Sequence, residues 1–312
     1  MNLETEKIEI LLATYQSEAF LCEQLDSILH QSDQNWSLLI HDGGSTDGTV
    51  EIIRSYEKKY PGKIRLTGSS RASACMNFSQ LMGMASAELI MLSDHDDVWL
   101  PDKIAETRKK FVEEMKKLPA GTPLLVFSDS RIVDQNLNMI FPSLMHYSNL
   151  DPGRLALSQL LVQNVPHGNT MMFNSALCKL AYPIPRKAVM HDNWISLTAA
   201  AFGKIAFLNQ TTLLYRQHDC NVFGASCYSV PSLIKKIYDG KQKLLFRWYM
   251  NVSQAQAFLE ANRNRLQPDQ LRMLELFANI KHAGFFQKRY ILFHYKIWKT
   301  GIMRNIGMLL LI

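Results

Sequence analysis

One stretch decides how this sequence is interpreted, residues 89–100, which read LIMLSDHDDVWL. An apolar run with strand character ends in three carboxylates within four positions, Asp94, Asp96 and Asp97. Like charges this close repel one another unless a cation lies between them. Carboxylate oxygens suit a hard divalent ion such as Mg²⁺ or Mn²⁺, and a metal at the carboxyl end of a strand usually serves a phosphorylated ligand. The stretch predicts a cation site, with a solvated acidic turn as the alternative.

Strands and helices alternate around this stretch. Short apolar runs predict strands at residues 8–13, 36–40, 64–66, 88–92 and 124–127. Helical spacing of apolar residues is found between them, at residues 18–31, 49–60, 75–85 and 101–118. This order predicts an α/β fold with a mainly parallel central sheet flanked by helices. Polar clusters follow three of the strands, and we expect them on one edge of the sheet, where such sheets bind ligands.

Composition limits the class of protein. The formal charge is +6, but six lysines and arginines and no acid occur from Lys281 onward, so the rest of the chain carries 28 residues of each sign. A basic groove on the folded body is therefore not expected, which argues against nucleic-acid binding. The five cysteines form no CxxC pair, and the N-terminus has no apolar leader. These features predict a cytoplasmic protein without zinc or disulfides.

The chain is predicted to divide into an α/β domain, residues 1–228, and a helical C-terminal extension, residues 229–312. On a single helix, five basic residues of the extension would share a sector of about 100°. They are Lys281, Lys288, Arg289, Lys296 and Lys299. Many aromatic residues surround them, while the final apolar run is far shorter than the roughly 20 residues that span a bilayer. We expect a helix on an anionic membrane surface; packing on the body or on a second subunit is the alternative.

Several motifs occur in a fixed order. HDGGSTDGT at residues 41–49 is followed by SDHDDVWLPDK at residues 93–103. Further along come GNT at 168–170, HDNW at 191–194 and YRQH at 215–218. The set resembles the family 2 glycosyltransferases of the GT-A fold, and the second motif resembles their bacterial rhamnosyltransferase branch in particular. The resemblance covers about residues 8–225, and it departs from the family pattern at Gly43, where a second acid is usual.

The resemblance implies a divalent metal, Mn²⁺ or Mg²⁺, that stabilises a departing diphosphate as a Lewis acid. Asp96 is then the first metal ligand, Asp94 contacts metal and ribose, and Asp97 orients the site. His218 is predicted as a further metal ligand, with a hydrogen-bonded surface histidine as the alternative. The spacing of these residues by itself supports only a cation site.

The same resemblance implies a binding site for a nucleotide-sugar donor. Asp42 would hold the base or the ribose, unless it only caps its turn. Tyr15 would pack on the base, unless it is merely structural. Four further residues are predicted to contact the donor: Thr14, Asn169, Thr170 and Arg216. Arg216 would meet the charge of the diphosphate.

Asp192 is the predicted general base, which accepts the proton of the acceptor hydroxyl during in-line attack. Without the resemblance, an N-cap would be the ordinary explanation for such an aspartate. Trp194 is expected either on a sugar face or in the core. The predicted function is an inverting glycosyltransferase, with dTDP-rhamnose as its foremost donor and a lipid-linked glycan as acceptor at the inner face of the membrane. The alternatives are a sugar-nucleotide nucleotidyltransferase and a non-catalytic partner of the same fold.

Overall fold

The computed structural model describes residues 3–218 and 230–312, and it describes side chains in the second range from residue 242 onward. The predicted domain boundary at 228/229 lies outside the described residues and stays a prediction. The strands are β1 (Ile8–Thr14), β2 (Trp36–Asp42), β3 (Ile64–Ser69), β4 (Leu89–Ser93), β5 (Val98–Trp99), β6 (Leu124–Val133), β7 (Met139–Phe141), β8 (Met172–Asn174) and β9 (Lys204–Arg216).

Helices connect these strands and continue to the end of the chain. In the first 160 residues they are α1 (Leu21–Leu29), α2 (Thr49–Lys59), α3 (Ala74–Met84), α4 (Lys103–Met115), α5 (Leu144–Tyr147) and α6 (Leu157–Leu160). The later helices are α7 (Ser175–Ala181), α8 (His191–Phe202), α9 (Val230–Asn262), α10 (Pro268–Ala278), α11 (Phe285–His294) and α12 (Ile302–Leu311). Two 3-10 turns lie at Gly168–Thr170 and Ile280–His282.

The strands form one sheet in the order β3-β2-β1-β4-β8-β6-β9-β5, with β7 paired to β6. The first four strands are parallel, and so is the pair of β6 and β9. β8 joins the parallel strands to β6 through antiparallel pairs, so the complete sheet is mixed. The α/β prediction is confirmed, and the parallel part of the sheet is the part that the alternating pattern identified.

Helices cover both faces of the sheet because its strands are apolar on both sides. Every residue of β1 is buried, which is typical of parallel strands. Successive side chains point to opposite faces, so Leu12 packs in the core with Leu25 of α1, while Leu11 packs in the other core with Phe78 of α3. Thr14 pairs with Asp42, and Leu12 pairs with Ser93. The three polar clusters therefore lie on one edge, as predicted.

The predicted helix of the tail is wrong in its extent. α11 ends at His294, Lys296 adopts a positive φ of 54°, and α12 begins only at Ile302. The five basic residues therefore do not share one helical face. The Lys288 ammonium and the Arg289 guanidinium donate to the backbone oxygen of Ile312, each at 3.3 Å.

The tail packs on the body through one side of its helices. Ile291 and Leu292 of α11 and Met308 of α12 are buried in the larger core. The opposite side of α11 exposes Phe286 and Phe293. No helix among the described residues is long and apolar enough to cross a membrane. The structure thus shows the alternative, in which the tail packs on the body. An apolar face of α11 stays exposed.

Candidate active site

The candidate site lies beyond the carboxyl ends of β1, β2 and β4. The turn between β4 and β5 carries Asp94, Asp96 and Asp97 there. β5 was not predicted, since it has two residues, and it pairs antiparallel with Leu213 and Leu214 of β9. This pairing holds the acidic turn against the end of β9, which carries Arg216 and is followed by His218.

Asp96 and His218 form the centre of the site. The Nε2 of His218 lies 2.9 Å from Oδ2 of Asp96, and the two side chains are only 10% and 12% exposed. Asp94 lies close enough to Asp96 for the charge of one carboxylate to act on the other. Burial, followed by the charges of Asp96 and Asp192, raises the pKa of Asp94 to about 8. The turn is therefore a partly buried cluster of mutually repelling carboxylates rather than a solvated acidic turn.

Asp192 reaches this cluster from a distant part of the chain. It lies in the first turn of α8, whose N-cap position is occupied by Met190, so Asp192 is not the N-cap. Its Oδ1 accepts a hydrogen bond from the Asn193 amide at 2.7 Å. Burial raises the pKa of Asp192 to about 6, although hydrogen bonds oppose the rise. The carboxylate is thus ionised at neutral pH and still basic enough to accept a proton.

The donor set fits a hard cation in part. Among the described residues, no group of three or more His, Cys, Asp or Glu side chains is arranged to hold a metal ion. Of the three predicted ligands, Asp96 and His218 are in contact, and Asp94 is coupled to Asp96 through its charge. A cation would replace the hydrogen bond between Asp96 and His218 and would relieve the repulsion that raises the pKa of Asp94. In this structure Asp96 and His218 are thus the two predicted ligands that meet.

Asp97 and Arg216 hold the acidic turn in place from its buried side. Asp97 is fully buried, and its carboxylate accepts from the Asn169 side-chain amide at 2.5 Å and from the Arg216 backbone at 3.3 Å. The guanidinium of Arg216 donates to the Asp96 carbonyl at 2.8 Å, to the Gln135 carbonyl and to Glu23. Both Arg216 and Asn169 are 2% exposed. In this structure they position the acidic turn, and the prediction that they contact the donor stays a prediction.

Asp42 and Thr14 also have structural roles here. Asp42 is completely buried, and its oxygens accept from Thr14, from both the amide and hydroxyl of Ser45, from Ser69 and from the Gly44 amide. These bonds lower its pKa against the opposing effect of burial. With its acceptor capacity used, Asp42 holds the loop as a turn cap. The predicted contacts of Asp42 and Thr14 with the nucleotide stay predictions.

Two other predicted residues lie inside the protein. Thr170 is fully buried and donates to the His167 carbonyl at 2.7 Å, and the prediction that it contacts the donor stays a prediction. Trp194 is 2% exposed, packs edge-on against Phe258 and donates to the Ala181 carbonyl, which is the core alternative. Tyr15, by contrast, is 57% exposed at the end of β1 and is free to stack on a planar ligand.

Sequence reasoning missed three supporting residues. Burial and the neighbouring carboxylates, Asp97 first, raise the pKa of Tyr215, which therefore lies beside the acidic turn as a neutral phenol. Phe20 of the segment before α1 packs against both His218 and the Arg216 guanidinium. Lys103 is buried near Asp97, and burial lowers its pKa to about 7. Tyr215 and Lys103 belong to the YRQH and SDHDDVWLPDK motifs, which offered a signal for them; Phe20 had none.

Comparison with known proteins places these features in a family. The model of glycosyl transferase family 2 matches residues 9–180. The chain is 32% identical to EpsE of Bacillus subtilis over 127 residues, which are 39% of this chain and 45% of EpsE. It is 31% identical over 137 residues to the dTDP-rhamnosyl transferase RfbG of Shigella flexneri, 42% of this chain and 43% of RfbG. The chain thus matches less than half the length of these curated relatives.

Solved structures agree with the fold. Residues 1–349 of Staphylococcus aureus TarS, in complex with UDP-GlcNAc, superpose with a TM-score of 0.55. The match covers 97% of this chain and 90% of the TarS chain at 15% sequence identity. At this identity the similarity establishes the fold, and it includes the C-terminal helices.

Proposed function

Because the chain belongs to glycosyl transferase family 2, whose model matches more than half of it, we propose that it transfers a sugar from a nucleotide sugar to a glycan acceptor in cell-surface polysaccharide synthesis. One observation carries the proposal. Asp192, almost a hundred residues from the acidic turn, lies close enough to Asp94 for its charge to raise the pKa of that carboxyl. A proton acceptor and the acidic turn are thus combined in one site.

Asp192 is proposed as the general base. With a pKa of about 6, it is ionised at neutral pH and accepts the acceptor hydroxyl's proton while the oxygen attacks the anomeric carbon. The nucleoside diphosphate departs from the opposite face, so the anomeric configuration is inverted. A single displacement of this kind needs one base and no protein nucleophile.

Asp96 and His218, with Asp94, are proposed to hold a divalent cation, Mn²⁺ or Mg²⁺. The bound cation would supply Lewis-acid stabilisation of the diphosphate. Arg216 and Asp97 keep the acidic turn in place through the bonds described above. The exposed ring of Tyr15 is proposed to stack on the nucleobase of the donor.

dTDP-rhamnose is the donor that we propose first, because of the similarity to RfbG and the form of the SDHDDVWLPDK motif. The acceptor is proposed to be a lipid-linked glycan intermediate of an O-antigen or capsule. The protein would then work in the cytoplasm, peripherally on the inner face of the membrane. The uncovered face of α11 supports this location, since Phe286, Tyr290 and Phe293 are exposed at helical spacing in a tail that has no acid.

A panel of nucleotide sugars with Mn²⁺ tests the enzyme activity, with nucleoside diphosphate release measured with and without a lipid-linked acceptor. We expect release that depends on metal and acceptor and that is lost in Asp192→Asn. Asp269→Asn, an exposed aspartate of α10, serves as the matched control and should retain activity. Formation of a nucleotide sugar from a nucleoside triphosphate would instead identify a nucleotidyltransferase. No turnover with any donor would favour a non-catalytic partner.

Membrane contact is tested separately by co-sedimentation with liposomes. Replacing Phe286 and Phe293 with serine leaves the buried side of α11 intact, so the variant should fold and lose binding to anionic vesicles. Replacing the exposed Phe246 of α9 with serine is the control outside the tail. Equal sedimentation of all three proteins would contradict the proposed membrane face.

A further inference from the structure

Gln16, in the loop after β1, adopts a backbone conformation that is uncommon for its residue type. Its φ is 48°, which lies in the left-handed region that residues other than glycine, asparagine and aspartate rarely adopt. Such a conformation persists only where the surrounding structure enforces it, and it is often found at functional sites. Gln16 directly follows Tyr15, the exposed residue at the end of β1. The strained position therefore lies next to the ring that is proposed to stack on the nucleobase.

The loop after β2, residues 43–48, holds Gln16 in this conformation. The Gln16 amide donates to the hydroxyl of Ser45 at 2.9 Å. The side-chain oxygen of Gln16 accepts the Thr46 amide at 2.6 Å and the Thr46 hydroxyl at 3.3 Å. Gln16 thus binds the second loop through both its backbone and its side chain, and a side chain of equal length without the oxygen would lose the bonds to Thr46.

The Tyr15 side chain has no comparable anchor. It is exposed, and it takes part in no hydrogen bond and no ring contact within the part of the chain that the structure describes. The residues on its two sides are fixed instead. Thr14 is buried and donates from its hydroxyl to Asp42 at 3.0 Å, and Gln16 is bound to Ser45 and Thr46. The orientation of the Tyr15 ring therefore depends on the backbone between Thr14 and Gln16.

The attachment between the two loops continues after Gln16. The Ser17 amide donates to the hydroxyl of Thr49 at 2.8 Å. The carboxylate of Glu18 accepts the Gly48 amide at 2.9 Å. These bonds join the loops into one unit, but Gln16 is the member of the row that adjoins the ring on this side.

We propose that Gln16 is a positioning residue for the Tyr15 ring and thereby sets how tightly the protein binds the base of its nucleotide. The inference rests on the proposed function, in which Tyr15 stacks on that base. A ring that is oriented before the ligand arrives loses less conformational freedom on binding, so the affinity is higher. Gln16 contributes to this affinity through the second loop and the backbone, not through a contact with the nucleotide.

Isothermal titration calorimetry of the full chain with Mn²⁺ tests the inference. dTDP, UDP and GDP are compared on the unaltered protein, and the tightest of the three is used for the variants. Tyr15→Ala should weaken binding about tenfold, within the range of stacking between a base and an aromatic ring. Gln16→Met keeps the length of the side chain and removes its oxygen, so it should weaken binding about threefold to tenfold, the range of one hydrogen bond.

Gln34→Met is the matched control. Gln34 is exposed before the start of β2, at the opposite end of that strand, and its side chain also bonds to neighbouring segments, namely the Leu29 carbonyl and Lys63. The same substitution there should change the affinity less than about twofold. A loss as large as that of Gln16→Met would show that the effect of Gln16 is not specific to its loop, and it would overturn the inference.

A double-mutant cycle separates positioning from a general loosening of the loop. If Gln16 acts through the Tyr15 ring, Gln16→Met should change the affinity of the Tyr15→Ala protein less than about twofold. An undiminished effect in that background, or equal affinity of Gln16→Met and the unaltered protein, would overturn the inference alone. Tyr15→Ala that binds as tightly as the unaltered protein would remove the stacking and the inference together. Lack of binding of all three nucleotides to the unaltered protein would contradict the proposed nucleotide-sugar donor as well.

Discussion

Replacing Asp192 with asparagine should lower activity and raise stability. As a general base, this carboxylate contributes on the order of 10² to 10⁴ in turnover. Its pKa is raised from the usual 3.8 to about 6, which corresponds to about 3 kcal/mol of unfolding free energy lost at neutral pH. The asparagine also loses hydrogen bonds such as the one from Asn193, worth about 1 kcal/mol. The expected net gain in stability at pH 8 is about 1–2 kcal/mol.

The sign of this effect depends on pH. A carboxyl whose pKa is higher in the folded protein is disfavoured only when it is ionised, so its cost is absent below pH 3.8. The cost grows as pH rises from 3.8 to about 6, and it is complete above about 6. Asp192→Asn should therefore gain stability relative to the unaltered protein at pH 8 and lose that advantage near pH 4.

Two measurements check the role of Asp192. Urea unfolding of the two proteins at pH 8 and pH 4 gives the stability difference, and turnover at saturating donor and Mn²⁺ gives the pH profile. Turnover of the unaltered protein should fall as pH decreases through about 6. If Asp192 only stabilises the first turn of α8, asparagine should instead cost about 0.5–2 kcal/mol at pH 8. That result, together with retained turnover, would refute the assignment of Asp192 as base.

Three further changes test the supporting structure. Asp96→Asn should abolish metal-dependent transfer and leave the fold intact, because a neutral amide is a poor ligand for the cation; undiminished turnover in excess EDTA would contradict the metal site. Arg216→Lys should lower the free energy of unfolding by roughly 2–4 kcal/mol and turnover at least tenfold. The reason is that lysine cannot bond the Asp96 carbonyl, the Gln135 carbonyl and Glu23 together. A loss of donor affinity with unchanged stability would instead indicate that Arg216 contacts the donor. Gly203→Ala should destabilise the protein by about 2 kcal/mol or more, since its Cβ would lie 2.0 Å from the Pro123 carbonyl oxygen, whereas nothing lies within 4 Å of a Cβ at Gly284. Equal melting temperatures for Gly203→Ala and Gly284→Ala would show that the Pro123 segment yields without cost.

The loop departs from the family pattern at Gly43, where an acid is usual. Packing around Gly43 explains why a side chain does not fit there. A Cβ at Gly43 would lie 2.9 Å from Nδ2 of Asn77 and 3.2 Å from the Thr14 carbonyl oxygen. Asn77 of α3 therefore occupies the space beside the loop, and an acid at position 43 would have to displace it. The sequence alone could report the glycine but not the neighbour that excludes a side chain there.

Local patterns determined the fold class and the position of the site. Alternating apolar runs and helical spacing depend on neighbours along the chain, so they identified the parallel strands and the edge that carries Asp94 and Asp96. The same patterns could not separate ligand contacts from supporting residues. Asp42, Thr14, Thr170 and Arg216 have the composition of a binding site, yet each is buried and engaged with protein groups.

Only the tertiary structure decided which side chains meet. Asp192 approaches Asp94, and His218 contacts Asp96 across 122 residues, because β5 pairs with β9 and α8 packs against the sheet. The helix of the tail likewise ends before Lys296, and Arg304 and Arg154 bind carbonyls across the junction with the body. Such contacts depend on the free energy of packing distant segments, which periodicity does not contain. The sequence by itself thus determined the class of fold and the acidic turn, while long-range packing assigned each residue its role.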